Sequence, residues 1–273
     1  MTGKFIWRFI AALASVLVWA ASAAAQTVVV GTGNPDTDIP AVQAAVDQGG
    51  EVILKGHFSF ERPPTVPTFD RNLATVRVSK AVAISGTRGE DRDMTSIEGG
   101  ATPFYVEAPG AGVTIKGLRF IRPTGLAVSV YAVSGLVIAS NKIERVEPGS
   151  SGIFINTSVG LPIPDQPGHP ENISGTLLVI NNHIDLAGGT AQDATIGILI
   201  YSVGVPGAEV EAYVSGNTIR NFTERSISLR RVVGRAYIEG NVITTGTIAG
   251  GANGTQAIFV AGLGPYLIAA QLG

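Results

Sequence analysis

Ile115-Lys116-Gly117-Leu118-Arg119-Phe120, Ile138-Ala139-Ser140-Asn141-Lys142-Ile143, Val179-Ile180-Asn181-Asn182-His183-Ile184, Val214-Ser215-Gly216-Asn217-Thr218-Ile219 and Ile238-Glu239-Gly240-Asn241-Val242-Ile243 are five versions of one segment. Each is bounded by apolar residues. Each has Asn at its fourth position, except the first, which has Leu118. The intervals between fourth positions are 23, 41, 35 and 24 residues. Two are close to a common period and two are lengthened by insertion. A period in this range marks a solenoid, in which each unit buries its apolar edge only against its neighbours.

A second short strand precedes each Asn segment. These are Val128-Ser129-Val130-Tyr131, Ile153-Phe154-Ile155-Asn156, Ile198-Leu199-Ile200-Tyr201, Ile227-Ser228-Leu229-Arg230 and Ile258-Phe259-Val260-Ala261. Strand side chains alternate between faces, so the apolar first and third residues of each quartet point inward. One coil therefore reads strand, strand, Asn turn, short third strand, loop. Stacked coils make three parallel sheets around one core. The Asn column suits the tight turn, where its side chain can satisfy backbone groups, tolerate the left-handed conformation and bond to its neighbours up the stack.

Composition narrows the function. The chain carries 19 basic and 21 acidic side chains, 3 histidines and no cysteine. Lys4 and Arg8 precede an apolar run from Phe9 to Ala21, and Ala23 and Ala25 suit a cleavage site before Gln26. This is the pattern of a secretory signal peptide over residues 1–25, with a retained anchor as the rival reading. It predicts export to a secreted or periplasmic location, with no membrane attachment after cleavage. Without Lys4 and Arg8 the mature chain has a formal charge of −4, from 17 basic and 21 acidic residues. A mildly acidic chain without a basic run argues against nucleic acid as partner. An exported chain without disulfides must rest on its core alone.

The expected organisation is a linker over residues 26–37, a capping helix over 38–49, coils over about 51–262 and a C-terminal tail over 263–273, in one monomeric domain. In the helix, Asp38 is the expected N-cap, Pro40 suits the first turn, Ile39, Val42 and Val46 share a face, and Gly49 ends it.

The Gly-Ile-x-Ile strands, the Asn turns and the opening from Asp38 to Leu54 resemble the pectate-lyase-like, right-handed parallel β-helix superfamily. The resemblance covers roughly residues 38–262. It implies an all-β, three-sheet solenoid with a short N-terminal capping helix. It also implies carbohydrate chemistry, by carboxylate pairs in hydrolysis or by Ca²⁺ carboxylates with an Arg or Lys base in elimination. The chain lacks the Asn-Thr-Asp, Asp-Asp and Gly-His-Gly sets similar to those of polygalacturonases, and the Asp-Pro-His-Asp of polyuronide epimerases. No cofactor is expected; Ca²⁺ enters only through the resemblance, and no acid cluster that would hold it stands on one strand.

Stacking the outward positions of the second strands gives two files. One reads Ser129, Phe154, Leu199, Ser228, Phe259; the other reads Tyr131, Asn156, Tyr201, Arg230, Ala261. Aromatic, amide and guanidinium groups along a shallow face suit an acidic polysaccharide, because rings stack on sugars and Arg forks onto carboxylates. Tyr131, Asn156, Tyr201, Arg225 and His169 are the expected binding residues. Arg230, Asp193 and Glu224 are the catalytic candidates, Arg230 as an eliminating base and the two acids as a hydrolytic pair, which needs about 5–9.5 Å between carboxyls. The expected function is binding of an acidic polysaccharide, with cleavage of the lyase or hydrolase type left open because no complete catalytic motif is found. The alternative is a non-catalytic solenoid that binds glycan or a partner protein. Two further rungs, Glu211 with Arg235 and Tyr213 with Tyr237, read as register devices.

Overall fold

The computed structural model describes residues 26–61, 74–87, 93–144, 151–157, 172–186, 195–244, 256–262 and 269–272. They form a right-handed parallel β-helix with three sheets and one helix. A nine-stranded sheet runs from Gln26–Val30 to Ala269–Leu272 and holds the strands that lead into the Asn turns. The strands that follow those turns are three residues each and form a short sheet, from His57–Ser59 to Val242–Thr244. The Gly-Ile-x-Ile strands form the third, here called the front sheet, from Ala74–Val78 to Gln256–Ala261. Neighbouring strands within each sheet pair in parallel, coil upon coil.

The inward assignment holds. Val128, Val130, Ile153, Ile155, Ile198, Ile200, Ile227 and Leu229 are fully buried, in one core with Ile115, Ile138, Val179 and Val214. Near the N-terminal end Phe60, Phe104 and Phe120 pack edge to face, with centroids 6.3 and 6.0 Å apart. The fifth quartet departs from this. Ile258 and Val260 stand in register with Ile227 and Leu229 but are 36% and 39% exposed, because their strand is the last of the front sheet.

Asn141, Asn182, Asn217 and Asn241 form a continuous ladder. The Oδ1 of each accepts the backbone N–H of the previous column residue, at 3.1, 3.0, 2.9 and 2.9 Å, starting from Leu118. Each Nδ2 donates to a carbonyl one coil back, those of Ile115, Ile138, Val179 and Val214. The left-handed backbone falls one residue earlier than expected. Gly117, Ser140, Asn181, Gly216 and Gly240 have φ of 66, 54, 55, 64 and 59°. The corner thus divides its labour: one residue takes the strained conformation, for which Gly and Asn are suited, and the next satisfies the buried amides.

The N-terminal end also corrects the expectation. Gln26–Val30 is a strand paired with Gly50–Lys55, not part of a linker. The helix spans Pro35–Gln48, and its N-cap is Asn34, whose side chain accepts the N–H of Asp36 at 3.0 Å. Asp38 lies inside the first turns. Its buried carboxylate accepts from Thr32 N, Thr32 Oγ1, Gly33 N and Ser59 N at 2.8 to 3.0 Å. It therefore ties the loop, the helix and the first coil together. The helix packs on Gln26–Val30, Gly50–Lys55, His57–Ser59 and Ala74–Val78, closing this end of the stack and covering edges that would otherwise recruit other strands.

On the nine-stranded sheet, Glu211 stands opposite Arg235, and Tyr213 stacks on Tyr237 with centroids 4.8 Å apart and planes 13° from parallel. Both rungs sit where their register requires.

Candidate functional site

The outward files of the front sheet are built as the alternation implies, with one break. Ser129, Phe154, Leu199, Ser228 and Phe259 pair in unbroken register. Asn156, Tyr201, Arg230 and Ala261 do so beside them. Tyr131 does not join that file. The ladder from its strand to Ser151–Asn156 ends at Val130 with Ile155, and its pairing with Thr102–Ala108 shifts between Val130 and Ala132. Tyr131 is the residue at that bulge. It is 5% exposed and packs with Tyr105 and Ala132.

Burial divides the face. Ser129, Asn156, Phe154 and Leu199 are all buried, and Phe154 and Leu199 form a second small apolar cluster with Leu126 and Ile196, against which Tyr201 packs. Tyr131 and Asn156 therefore do not offer side chains to a ligand, contrary to the expectation from their outward direction. His169 and Asp193 lie outside the described residues, as does most of the insertion that follows Asn156.

The upper part of the face is accessible and charged. The strand Arg225–Val232 carries Arg225 near its start and Arg230 and Arg231 near its end. Arg225 and Arg230 both turn over the ring of Phe259 on the next strand, with guanidinium carbons 4.4 and 5.1 Å from its centroid. Such contacts are attractive within about 6 Å. Glu224 forms an ion pair with Arg225, and its same oxygen lies 3.8 Å from Nη2 of Arg230. Arg225 Nε donates to Gln256 at 3.0 Å, and Arg230 Nε donates to Ser228 Oγ at 3.1 Å. Arg225 is thus closely held, while Arg230, with a third of its side chain exposed, keeps only a long contact to the carboxylate.

Arg231 is the residue that alternation alone misses. Its φ is +50°, and Ser202, which shares its rung, has φ +55°. This double left-handed bend turns a residue outward that strict alternation would point into the core. The guanidinium of Arg231 then lies 5.6 Å from the centroid of Tyr201. Among the described residues Arg231 has no carboxylate partner. The available signal was local: an Arg cannot occupy the inward position between Leu229 and Val232 without a partner, so the strand had to bend there.

Three guanidiniums, one carboxylate and two rings therefore share this end of the face, on a chain whose formal net charge is −2. Among the described residues the carboxylate here is Glu224, and it contacts both Arg225 and Arg230. Among the described residues no second carboxylate contacts Arg225 or Arg230, and no group of three metal-ligating side chains occurs. The described side chains here, Glu224 among three arginines, are not a donor set that fits Ca²⁺, which takes several oxygen ligands.

The short sheet carries a second set of charges, and its Glu144 is paired within it. Arg119, Lys142 and His183 follow one another up one file, beside Glu144, Asp185 and Arg220 in the next. Arg119 and Lys142 both bind Glu144, at 2.5 and 2.8 Å, and Asn221 donates to Asp185 at 2.7 Å. Burial works to raise the Glu144 carboxyl, but Lys142 and Arg119 together outweigh it and hold it below its ordinary value. Burial, with Arg220 and Lys142 nearby, pushes His183 down. These pairs lock the register of three-residue strands that bring few backbone bonds each.

No family model, characterised protein or solved structure matches this chain.

Proposed function

We propose that this protein is an exported solenoid that binds an acidic polysaccharide on the upper end of its front sheet. The observation that carries this reading is the arginine set. Arg230 and Arg231 stand on consecutive positions, one over Phe259 and one over Tyr201, and neither guanidinium is closed off by a close carboxylate. Both arginines stand on one strand, with Tyr201 and Phe259 on the strands to either side, so a uronate chain laid across the strands meets a ring, two guanidiniums and a second ring in turn. Strand spacing of about 4.8 Å matches the rise of a sugar residue to within the adjustment a flexible glycan allows. Charge-assisted forks supply the selectivity for acid over neutral sugars, and the rings supply sequence-tolerant contact.

The resemblance to the pectate-lyase-like superfamily supports a carbohydrate as ligand. The reading proposed is binding without cleavage. Hydrolysis needs two carboxyls, and Glu224 contacts both Arg225 and Arg230 while Asp193 lies outside the described residues. Elimination needs a base, and Arg230, the candidate for it, donates its Nε to Ser228 Oγ at 3.1 Å. The test is calorimetry with polygalacturonate, alginate and a neutral glucan, alongside assays for new reducing ends and for unsaturated uronates. Binding to the acidic polymers, weakened by salt and without new ends, supports the reading. Release of either product would restore an enzyme, and no binding to any acidic glycan would remove the reading.

A further inference from the structure

Gln26 is the first residue of the first strand, and it is exposed. It stands opposite Glu51 in register, and its Nε2 donates to Oε2 of Glu51 at 3.0 Å. The leader reading places the cut at the same residue: Ala23 and Ala25 occupy the −3 and −1 positions before Gln26. Cleavage there leaves no spacer. It puts a free α-amine on a glutamine whose backbone is fixed by strand pairing from Thr27 onward.

From this juxtaposition we infer that Gln26 is a modification site, closing to an N-terminal pyroglutamate at a rate that Glu51 restrains. The inference rests on cleavage after Ala25 and not on the glycan reading. The amine nitrogen and the side-chain Cδ are separated by three carbons, so their union makes a five-membered ring. Intramolecular reactions of this size gain greatly from proximity. The amine lone pair attacks Cδ and a new N–Cδ bond forms. The Cδ–Nε2 bond breaks, and Nε2 takes up the proton that the amine loses and departs as ammonia. No oxidant or cofactor takes part. The ring costs the strand little, because the side chain is exposed and only its bond to Glu51 must be given up.

Glu51 opposes closure in two ways. Its carboxylate holds Nε2 as a donor, which keeps the amide extended along the rung. It also lies about one strand spacing, ~4.8 Å, from the new terminus. There it favours the ammonium form, which has no lone pair to attack with. Closure removes both the terminal positive charge and the Nε2 donor, and it protects the edge strand from aminopeptidases.

The test uses the full chain, exported with its own leader, and follows the N-terminal peptide by mass at intervals in parent and Glu51→Gln. The expected peptide begins at Gln26 and loses the mass of one ammonia with time. The product resists aminopeptidase and is opened by pyroglutamyl peptidase. Closure in Glu51→Gln should run several-fold faster, and the two rates should converge in denaturant. A peptide that begins elsewhere, or a Gln26 that keeps its full mass and free amine, overturns the inference. Equal rates in the two folded proteins overturn the part given to Glu51. None of these readouts depends on glycan binding.

Discussion

The front sheet presents outward side chains along its whole length, yet its two ends differ. On the lower and middle strands Tyr105, Ser129, Tyr131, Phe154, Asn156 and Leu199 point away from the core and are nonetheless buried. On the last strands Arg225, Arg230 and Phe259 point the same way and remain in part accessible. Direction on a strand is a local property, whereas accessibility is decided by what packs outside the sheet. An outward residue is therefore a candidate for binding only where nothing covers it. Here that leaves the arginine end as the candidate surface, while the other end behaves as a second, thinner core.

If the covered half is a core, charge should be as unwelcome on its outer side as on its inner side. Ile200→Asp places an unpaired charge among fully buried residues and should cost several kcal/mol, enough to abolish cooperative unfolding. Leu199→Asp, one residue away and facing outward, should also lower the melting temperature sharply. If Leu199→Asp melts like the parent, the two halves do not differ in the way described.

The Asn ladder tests the same idea of position along the stack. Asn182→Ala removes an acceptor used by Asn141 and a donor to Ile138, and leaves buried groups unsatisfied. At about 1–3 kcal/mol for each unsatisfied group, it should cost roughly 3 kcal/mol in denaturant unfolding. Asn241→Ala, at the partly exposed last rung, should cost less than half of that. Equal costs would mean that burial does not set the value of each rung.

Acid should loosen the short sheet before it affects the arginine end. His183 is held below its ordinary value of 6.5 and Glu144 below 4.5. For both, the folded protein binds fewer protons than the unfolded one, so stability rises with pH. The contribution of His183 is complete above 6.5 and fades as pH falls below it; that of Glu144 is complete above 4.5 and fades below it. Thermal melts should show a modest decline from pH 7 to 5 in the parent. The decline should be reduced in His183→Gln, and a flat profile in the parent would contradict the sign. Smallest of all, Arg231→Ala should leave stability within about 0.5 kcal/mol of the parent, as for an exposed residue away from the core.

Much of this was legible in the sequence, for identifiable reasons. The Asn column and the inward Ile and Val residues recur at a fixed offset, and a solenoid repeats its geometry with its sequence. The true helix start is masked in the sequence because Asp38-Ile39-Pro40 mimics the cap signal that Asn34-Pro35-Asp36 carries. The bulge at Tyr131 consumes one residue without any sequence mark at that spot. Strict alternation has no place for the left-handed bend within a strand that turns Arg231 outward. The burial of Asn156 was not legible, since alternation along a strand fixes the direction of a side chain and not what lies over it. The partner proposed for the face lies beyond what periodicity can state.

The central claim is that the accessible arginines, and not the covered file below them, recognise an acidic glycan. It is tested most directly by titrating polygalacturonate into four proteins of equal fold: the parent, Arg230→Ala, Arg231→Ala and Asn156→Ser. Each lost fork should remove about 1.5–3 kcal/mol, so each arginine variant should bind at least tenfold more weakly. Asn156→Ser should bind like the parent. Parent-like affinity in both arginine variants, or a loss confined to Asn156→Ser, would contradict the account.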